Sequence, residues 1–256
     1  NQQAASMKLI QSLLALAIVI SFGGHALADE TGDLKITFKL RGQAPKPKPI
    51  ALNGPFCGNF KHMEESLVVD PATKGIKDVV VYVYTGRRGT ELKEQEPRKK
   101  TVTLENKNCR FEPHVVLLQT QDTLKVTNPD PVGHNVNLPF FAGAPVNVQI
   151  PPGQSRDFLL GVPQPAVIPA VCNSHPWMTA HVLVVDHPFF GKSDKDGVLE
   201  IKGLPAGEEI VFRAWHEQLT FKNQIFIDGK EDQWKSNKFE VKIKPGANDL
   251  GVVEVP

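Results

Sequence analysis

The sequence has almost no charge bias. Its 256 residues carry 29 Lys and Arg against 28 Asp and Glu. Residues 1–28 hold one lysine and no acid, so the remainder carries 28 of each sign. Without an excess of either sign there is no electrostatic footprint for nucleic acid or an anionic membrane. Short basic runs such as Arg98-Lys99-Lys100 read as solvated loop charges. Helical periodicity is nearly missing, which argues against helical and mixed architectures. No glycine-rich loop follows a strand and opens a helix, so phosphate-loop and dinucleotide-binding classes have no support. Ser155 and Ser174 lack a nucleophile-elbow context, and no paired carboxylates suggest acid–base catalysis. No unit of 20–50 residues recurs, which excludes a solenoid.

Long apolar runs are also scarce. The one candidate, Leu9 to Phe22, is interrupted by Gln11 and Ser12 and ends at Gly23-Gly24. That is a poor permanent transmembrane helix. With Lys8 before it and Ala26-Leu27-Ala28 after it, residues 1–28 read as a secretory signal. The mature chain is then expected to begin at Asp29, in the periplasm or outside the cell, with no membrane span after cleavage.

What is present is β texture. Leu34, Ile36, Phe38 and Leu40 alternate with polar residues, the period of a half-buried strand. A proline-rich connector follows at 43–49. Residues 50–77 are irregular. Val79 to Tyr84 is β-branched and aromatic, a strand buried on at least one face. From Thr101 short strands follow quickly, at Thr101–Glu105, His114–Gln119, Thr123–Thr127, Val146–Ile150, Arg156–Leu160 and His181–Val185. Pro, Gly, Asn and Asp separate them, the pattern of a sandwich or barrel. After Asp186 further strands are expected at 198–201, 210–215, 223–227, 239–243 and 252–255.

One heptapeptide concentrates the chemistry: Cys172-Asn173-Ser174-His175-Pro176-Trp177-Met178. A thiolate, an imidazole and a thioether at C-x2-H-x2-M suit copper, and a His2Cys set with a weak axial Met is the blue-copper electron-transfer arrangement. The segment supplies three of those ligands. His134, in a turn-rich stretch after a strand-like run, supplies the missing imidazole. Alone, each of these residues reads as core or surface; in this order they read as a site.

With these residues the chain resembles a cupredoxin. The short ligand loop, with Pro176 after the histidine and Trp177 before the methionine, is most similar to amicyanin and to the cupredoxin-like methylamine utilisation proteins. The resemblance covers roughly residues 101–186 and implies a Greek-key sandwich. It further implies one type 1 copper held by His134, Cys172, His175 and Met178. In such proteins the residue after the first histidine ties the two ligand loops together, a role that falls to Asn135 with Ser174 as the kind of partner expected; otherwise Asn135 is an ordinary turn residue. Pro139, Phe140, Phe141, Ala142, Pro176 and Trp177 are either an apolar docking patch around His175 or simply core. If Cys172 is the copper thiolate, Cys57 and Cys109 remain as a pair, bridged or as separate thiols; export permits the bridge.

Residues 187–256, with the turn Leu204-Pro205-Ala206-Gly207 before Ile210–Trp215, resemble a transthyretin-like module of the carboxypeptidase-regulatory kind. The expected organisation is therefore all-β: a signal at 1–28, an N-terminal β segment at 29–100, a cupredoxin domain at 101–186 and a second small β-sandwich module at 187–256. The N-terminal segment either pairs with the C-terminal module or extends the cupredoxin sheet. The function expected is one-electron carriage, not enzymatic turnover, with a dehydrogenase or c-type cytochrome as the partner the resemblance suggests. The alternatives are copper delivery or storage, a protein- or carbohydrate-binding module with a relic site, and, further off, a copper oxidoreductase. His114, His181, His187 and His216 read as structural, although a second copper would have to draw on them. Asp194 and Asp196 lack the spaced ligands of a calcium loop.

Overall fold

The structure, a computed structural model, describes residues 30–256. The predicted signal segment lies outside the described residues. The described chain is all-β, with two short 3-10 turns at Cys57–Asn59 and Lys235–Asn237. The first strands are β1 (Thr31–Leu40), β2 (Pro49–Ile50), β3 (His62–Met63) and β4 (Val80–Val83). The middle of the chain forms β5 (Thr101–Lys107), β6 (Arg110–Glu112), β7 (Val115–Gln119), β8 (Thr123–Thr127) and β9 (His134–Leu138). It continues through β10 (Val146–Ile150), β11 (Ser155–Leu159), β12 (Ile168–Val171) and β13 (Thr179–Val185). The last strands are β14 (Phe190–Lys192), β15 (Val198–Pro205), β16 (Glu209–Trp215), β17 (Ile225–Ile227), β18 (Lys230–Asp232), β19 (Lys238–Lys242) and β20 (Gly246–Val255).

Two pairs of sheets enclose two cores. In the middle of the chain, sheet β10-β9-β12-β13-β7 faces sheet β11-β8-β5-β6. Inward residues such as Leu104, Leu124, Val126, Val136, Ile168 and Val182 fill the space between them. The parallel pairs β7 with β13 and β5 with β8 show that neighbours in space are not neighbours in sequence. The other pair is β15-β1-β20-β17-β18 and β14-β4-β16-β19, and β2 and β3 form a two-stranded sheet of their own. Here β1 pairs antiparallel with β15 and parallel with β20, while β4 lies between β14 and β16. Strands from the first hundred residues thus share sheets with strands from the last seventy. The alternation of β1 is realised as read: Leu34, Ile36, Phe38 and Leu40 point into the core, their neighbours toward water.

Strand β4 explains its own composition. Val79, Val81 and Val83 enter the core shared with β1, whereas Val80 and Tyr82 join a separate apolar cluster with Val115, Leu183 and Val185. Both faces are buried, so the run is continuously apolar rather than alternating. That small cluster, flanked by Trp215, joins the two sandwiches.

Candidate metal centre

The ligand loop is a tight connection. Val171 in β12 pairs with Thr179 in β13, and residues 172–178 close the hairpin between them. Three backbone bonds fold the loop: Cys172 N–H to the Met178 carbonyl, His175 N–H to the Cys172 carbonyl, and Met178 N–H to the His175 carbonyl, at 3.2, 3.2 and 2.9 Å. Because the turn is closed by backbone bonds, its side chains are free to converge. His134 differs from the sequence reading in its placement. It is not in the turn after Thr123–Thr127 but opens a strand of its own, β9, opposite Ile150 of β10. Polar His and Asn at buried positions hide that strand from a hydrophobic pattern.

The loop and β9 bring three donors together. His134 Nδ1 lies 3.0 Å from His175 Nδ1. Cys172 Sγ lies 3.6 Å from His175 Nδ1. Cys172, His134, and His175 form a cluster in which every ligand atom is within 4.8 Å of the others. These are spacings that donors take when they share one ion at bonds of about 2.0–2.3 Å. Cys172 and His134 are buried and His175 is partly exposed, so the cluster touches solvent through one imidazole. Met178 is fully buried at the end of the loop, in the same apolar cluster as Cys172.

The donors are held by neighbours on β9 and the loop before it. Asp130 is 2.9 Å from His134 Nε2. An Nε2–H donated to that carboxylate leaves Nδ1 as the lone pair facing His175, the tautomer that ligates. Asp130 is itself fixed: it accepts the amides of Asn108 and Cys109 at 2.7 and 2.8 Å. Asn135 donates its backbone N–H to Cys172 Sγ at 3.3 Å. Its side-chain oxygen accepts the Asn173 amide at 3.1 Å, and its NH2 donates to Asn147 Oδ1 at 2.8 Å. Asn135 therefore ties the two ligand segments together, but through Asn173 rather than Ser174. The β9–β12 register, Asn137 opposite Val171, carries residue 173 to the position facing 135.

Burial, opposed by Asp130, holds the His134 imidazole below the usual histidine value. For His175 burial again comes first, then the neighbouring His134, with Asp130 opposing. Both rings are thus neutral at neutral pH, the form that binds metal. The donor set of a buried thiol, a buried neutral imidazole and a partly exposed one, mutually spaced for one ion, fits copper.

Cys57 and Cys109 are bridged, and Cys172 is the free cysteine. The bridge has a local consequence: the Cys109 amide holds Asp130 and the Cys109 carbonyl accepts Trp177 Nε1–H at 3.0 Å. The disulfide, Asp130 and the ligand loop form one connected framework. Of the six residues read as a patch or as core, Pro139, Phe141 and Pro176 are exposed, while Phe140, Ala142 and Trp177 are half-buried. Phe140 and Trp177 pack against the core. Asp194 accepts the Asp196 and Val198 amides, so it shapes a turn. Sequence reasoning passed over Asp130. Its signal was the i, i+4 spacing to His134, which in a turn carries no periodic meaning.

No family profile matches the chain, and no curated protein matches it. Solved structures similar to it include a copper-containing nitrite reductase, amicyanins and a purple cupredoxin. One is the Cu-containing nitrite reductase from Thermus scotoductus SA-01, 18% identical over 40% of this chain, with a TM-score of 0.30; the match spans 25% of the reductase chain. Another is a mutant amicyanin in its reduced Cu(I) form at pH 4, 18% identical over 33% of this chain and 81% of amicyanin, TM-score 0.30. A third is the purple cupredoxin from Nitrosopumilus maritimus, 21% identical over 33% of this chain and 98% of that one, TM-score 0.28.

Proposed function

We propose that the chain is an exported type 1 copper protein that carries single electrons between redox partners. The observation that carries this reading is the convergence of Cys172 Sγ with the Nδ1 atoms of His134 and His175. Cys172 would hold the metal as thiolate, His134 and His175 as neutral imidazoles, and Met178 as the weak axial thioether. Copper bound there supplies a one-electron couple between Cu(II) and Cu(I). The chain's own residues keep that site rigid: Asp130 fixes one imidazole, the Asn135 amide points at the sulfur, and the strand ends carry both. A site that does not rearrange is what electron carriage requires.

His175 is the port in this reading. It is the partly exposed ligand, beside exposed Pro176 and 5.2 Å from the half-buried Trp177 ring. A small apolar contact there suits a transient partner of the dehydrogenase or c-type cytochrome kind. The Cys57–Cys109 bridge supports an oxidising location such as the periplasm or cell exterior. The same reading takes 101–186 as the copper domain, with 29–100 and 187–256 forming a second β module; the shared sheets of β1, β15 and β20 support it. We read a carrier, not an enzyme.

The test is spectroscopic. Copper-loaded, oxidised protein should show an intense thiolate-to-copper charge-transfer band and a type 1 paramagnetic-resonance signal. Cys172→Ser should abolish the band, and His181→Ala should leave it. A wild-type chain that takes up copper without that band would refute the type 1 reading.

A further inference from the structure

A second cluster lies outside the thiolate site. His114 immediately precedes β7, His181 sits in β13, and Glu217 follows β16. The parallel pairing of β7 with β13 sets the two histidines side by side, and the His181 amide donates to the His114 carbonyl at 2.8 Å. Their rings are 5.3 Å apart. Glu217 arrives from the other sandwich, over the apolar cluster that joins the two. Its Oε2 lies 2.7 Å from His114 Nε2 and 3.7 Å from His181 Nδ1. All three donors fall within 4.8 Å of one another.

Two features point to an ion. His181 Nδ1 is buried without a hydrogen-bond partner, although it faces the carboxylate. A buried polar atom with no partner calls for an explanation such as an ion or water. The two donor separations, 2.7 and 3.7 Å, lie on either side of about 3.3 Å, the distance between donors on a tetrahedral ion with bonds near 2.0–2.1 Å. An ion could therefore be accommodated by shifts of about half an ångström. His114 and Glu217 also line a cavity of about 340 Å³, together with Trp177 and Thr179 from the end of the ligand loop.

We propose that His114, His181 and Glu217 bind a divalent transition-metal ion of the zinc class, with an open coordination position facing this cavity. Two imidazoles and a carboxylate contain no soft sulfur, so the site differs in kind from the thiolate cluster and suits zinc-like ions. Three protein ligands with a fourth position open to solvent is the arrangement of reactive rather than purely structural zinc sites. The ion would also tie the two sandwiches together, since its ligands come from both.

Cobalt(II) is the probe, because it takes zinc sites and absorbs visibly. The copper-loaded full chain should bind one further equivalent of Co²⁺, show ligand-field bands without sulfur charge transfer, and release it to Zn²⁺. Loss of a supporting residue alone weakens metal sites 10–100-fold, so Glu217→Gln and His181→Ala should each weaken Co²⁺ binding by at least about tenfold. Neither should alter the copper charge-transfer band. Glu217→Gln preserves shape, and circular dichroism identifies a misfolded variant. If the chain takes up no copper, the same titration on Cys172→Ser reads this site alone, so the two readings fail separately. No Co²⁺ uptake, or uptake that neither substitution weakens, would overturn the proposal.

Discussion

Replacing Asp130 with alanine should be among the most damaging single changes near the candidate metal centre. The Asp130 carboxylate is buried and accepts three hydrogen bonds, from the amides of Asn108 and Cys109 and from His134 Nε2. Asn108 is exposed, so water can replace its lost partner. Cys109 is fully buried, and its amide would be orphaned at a cost of about 1–3 kcal/mol. The bond to His134 involves a charged acceptor and is worth about 1.5–3 kcal/mol. Together the loss should be about 3–5 kcal/mol. With a urea m-value of about 3 kcal/mol per M, the unfolding midpoint should fall by about 1 M or more. The same substitution releases the His134 tautomer, so metal affinity at Cys172, His134 and His175 should drop about 10–100-fold. The assays are urea unfolding of metal-free protein, followed by copper titration. A midpoint change corresponding to less than about 0.5 kcal/mol would show that the carboxylate is not the anchor this geometry implies.

Other perturbations test other parts of the framework. Cutting the Cys57–Cys109 bridge by paired serine substitution removes a cross-link spanning 52 residues, which chain entropy values at about 4 kcal/mol; thermal unfolding should show it, and alkylation of unreduced wild-type protein should modify neither residue. Burial pushes His216 down from 6.5 to about 4 in the folded chain. The unfolded chain then binds more protons between those pH values, so this contribution is complete above about pH 6.5 and is lost as pH falls toward 4, by about 3 kcal/mol; denaturation against pH should flatten in His216→Gln. Phe141 is 69% exposed, so Phe141→Ser should leave stability and copper spectrum nearly unchanged while slowing electron exchange if the apolar ring docks a partner. An unchanged exchange rate would place the docking surface elsewhere.

Some of this molecule could be read directly from residue order. The period-two pattern of Leu34 to Leu40, the runs at 123–127 and 146–150, and the spacing C-x2-H-x2-M are local, and local stereochemistry decides what they become. β9 and β12 were less legible for physical reasons. His134-Asn135-Val136-Asn137-Leu138 buries His134 and Asn135, whose side chains find their partners in Asp130 and Asn147 outside the strand, so it lacks an apolar signature. Ile168-Pro169-Ala170-Val171 contains a proline, which normally argues against a strand in the middle of a sheet. The heptapeptide set Cys172 and His175 three residues apart in one short loop, but only pairing across the sheets brought His134 to His175.

The longer-range features depend on closure of the chain. The bridge from Cys57 to Cys109, the amide of Cys109 on Asp130, the partnership of Asn135 with Asn173, and the meeting of His114 and His181 with Glu217 join residues from 21 to 103 positions apart. A polar residue at such a position looks the same in sequence whether it lies in a turn or against a partner, because its hydrogen-bonding capacity does not name the group that will satisfy it. The strands β1 and β4 likewise show in sequence that they bury one face or two. Which strands cover those faces was settled by packing, when the first and last segments of the chain closed over a common core.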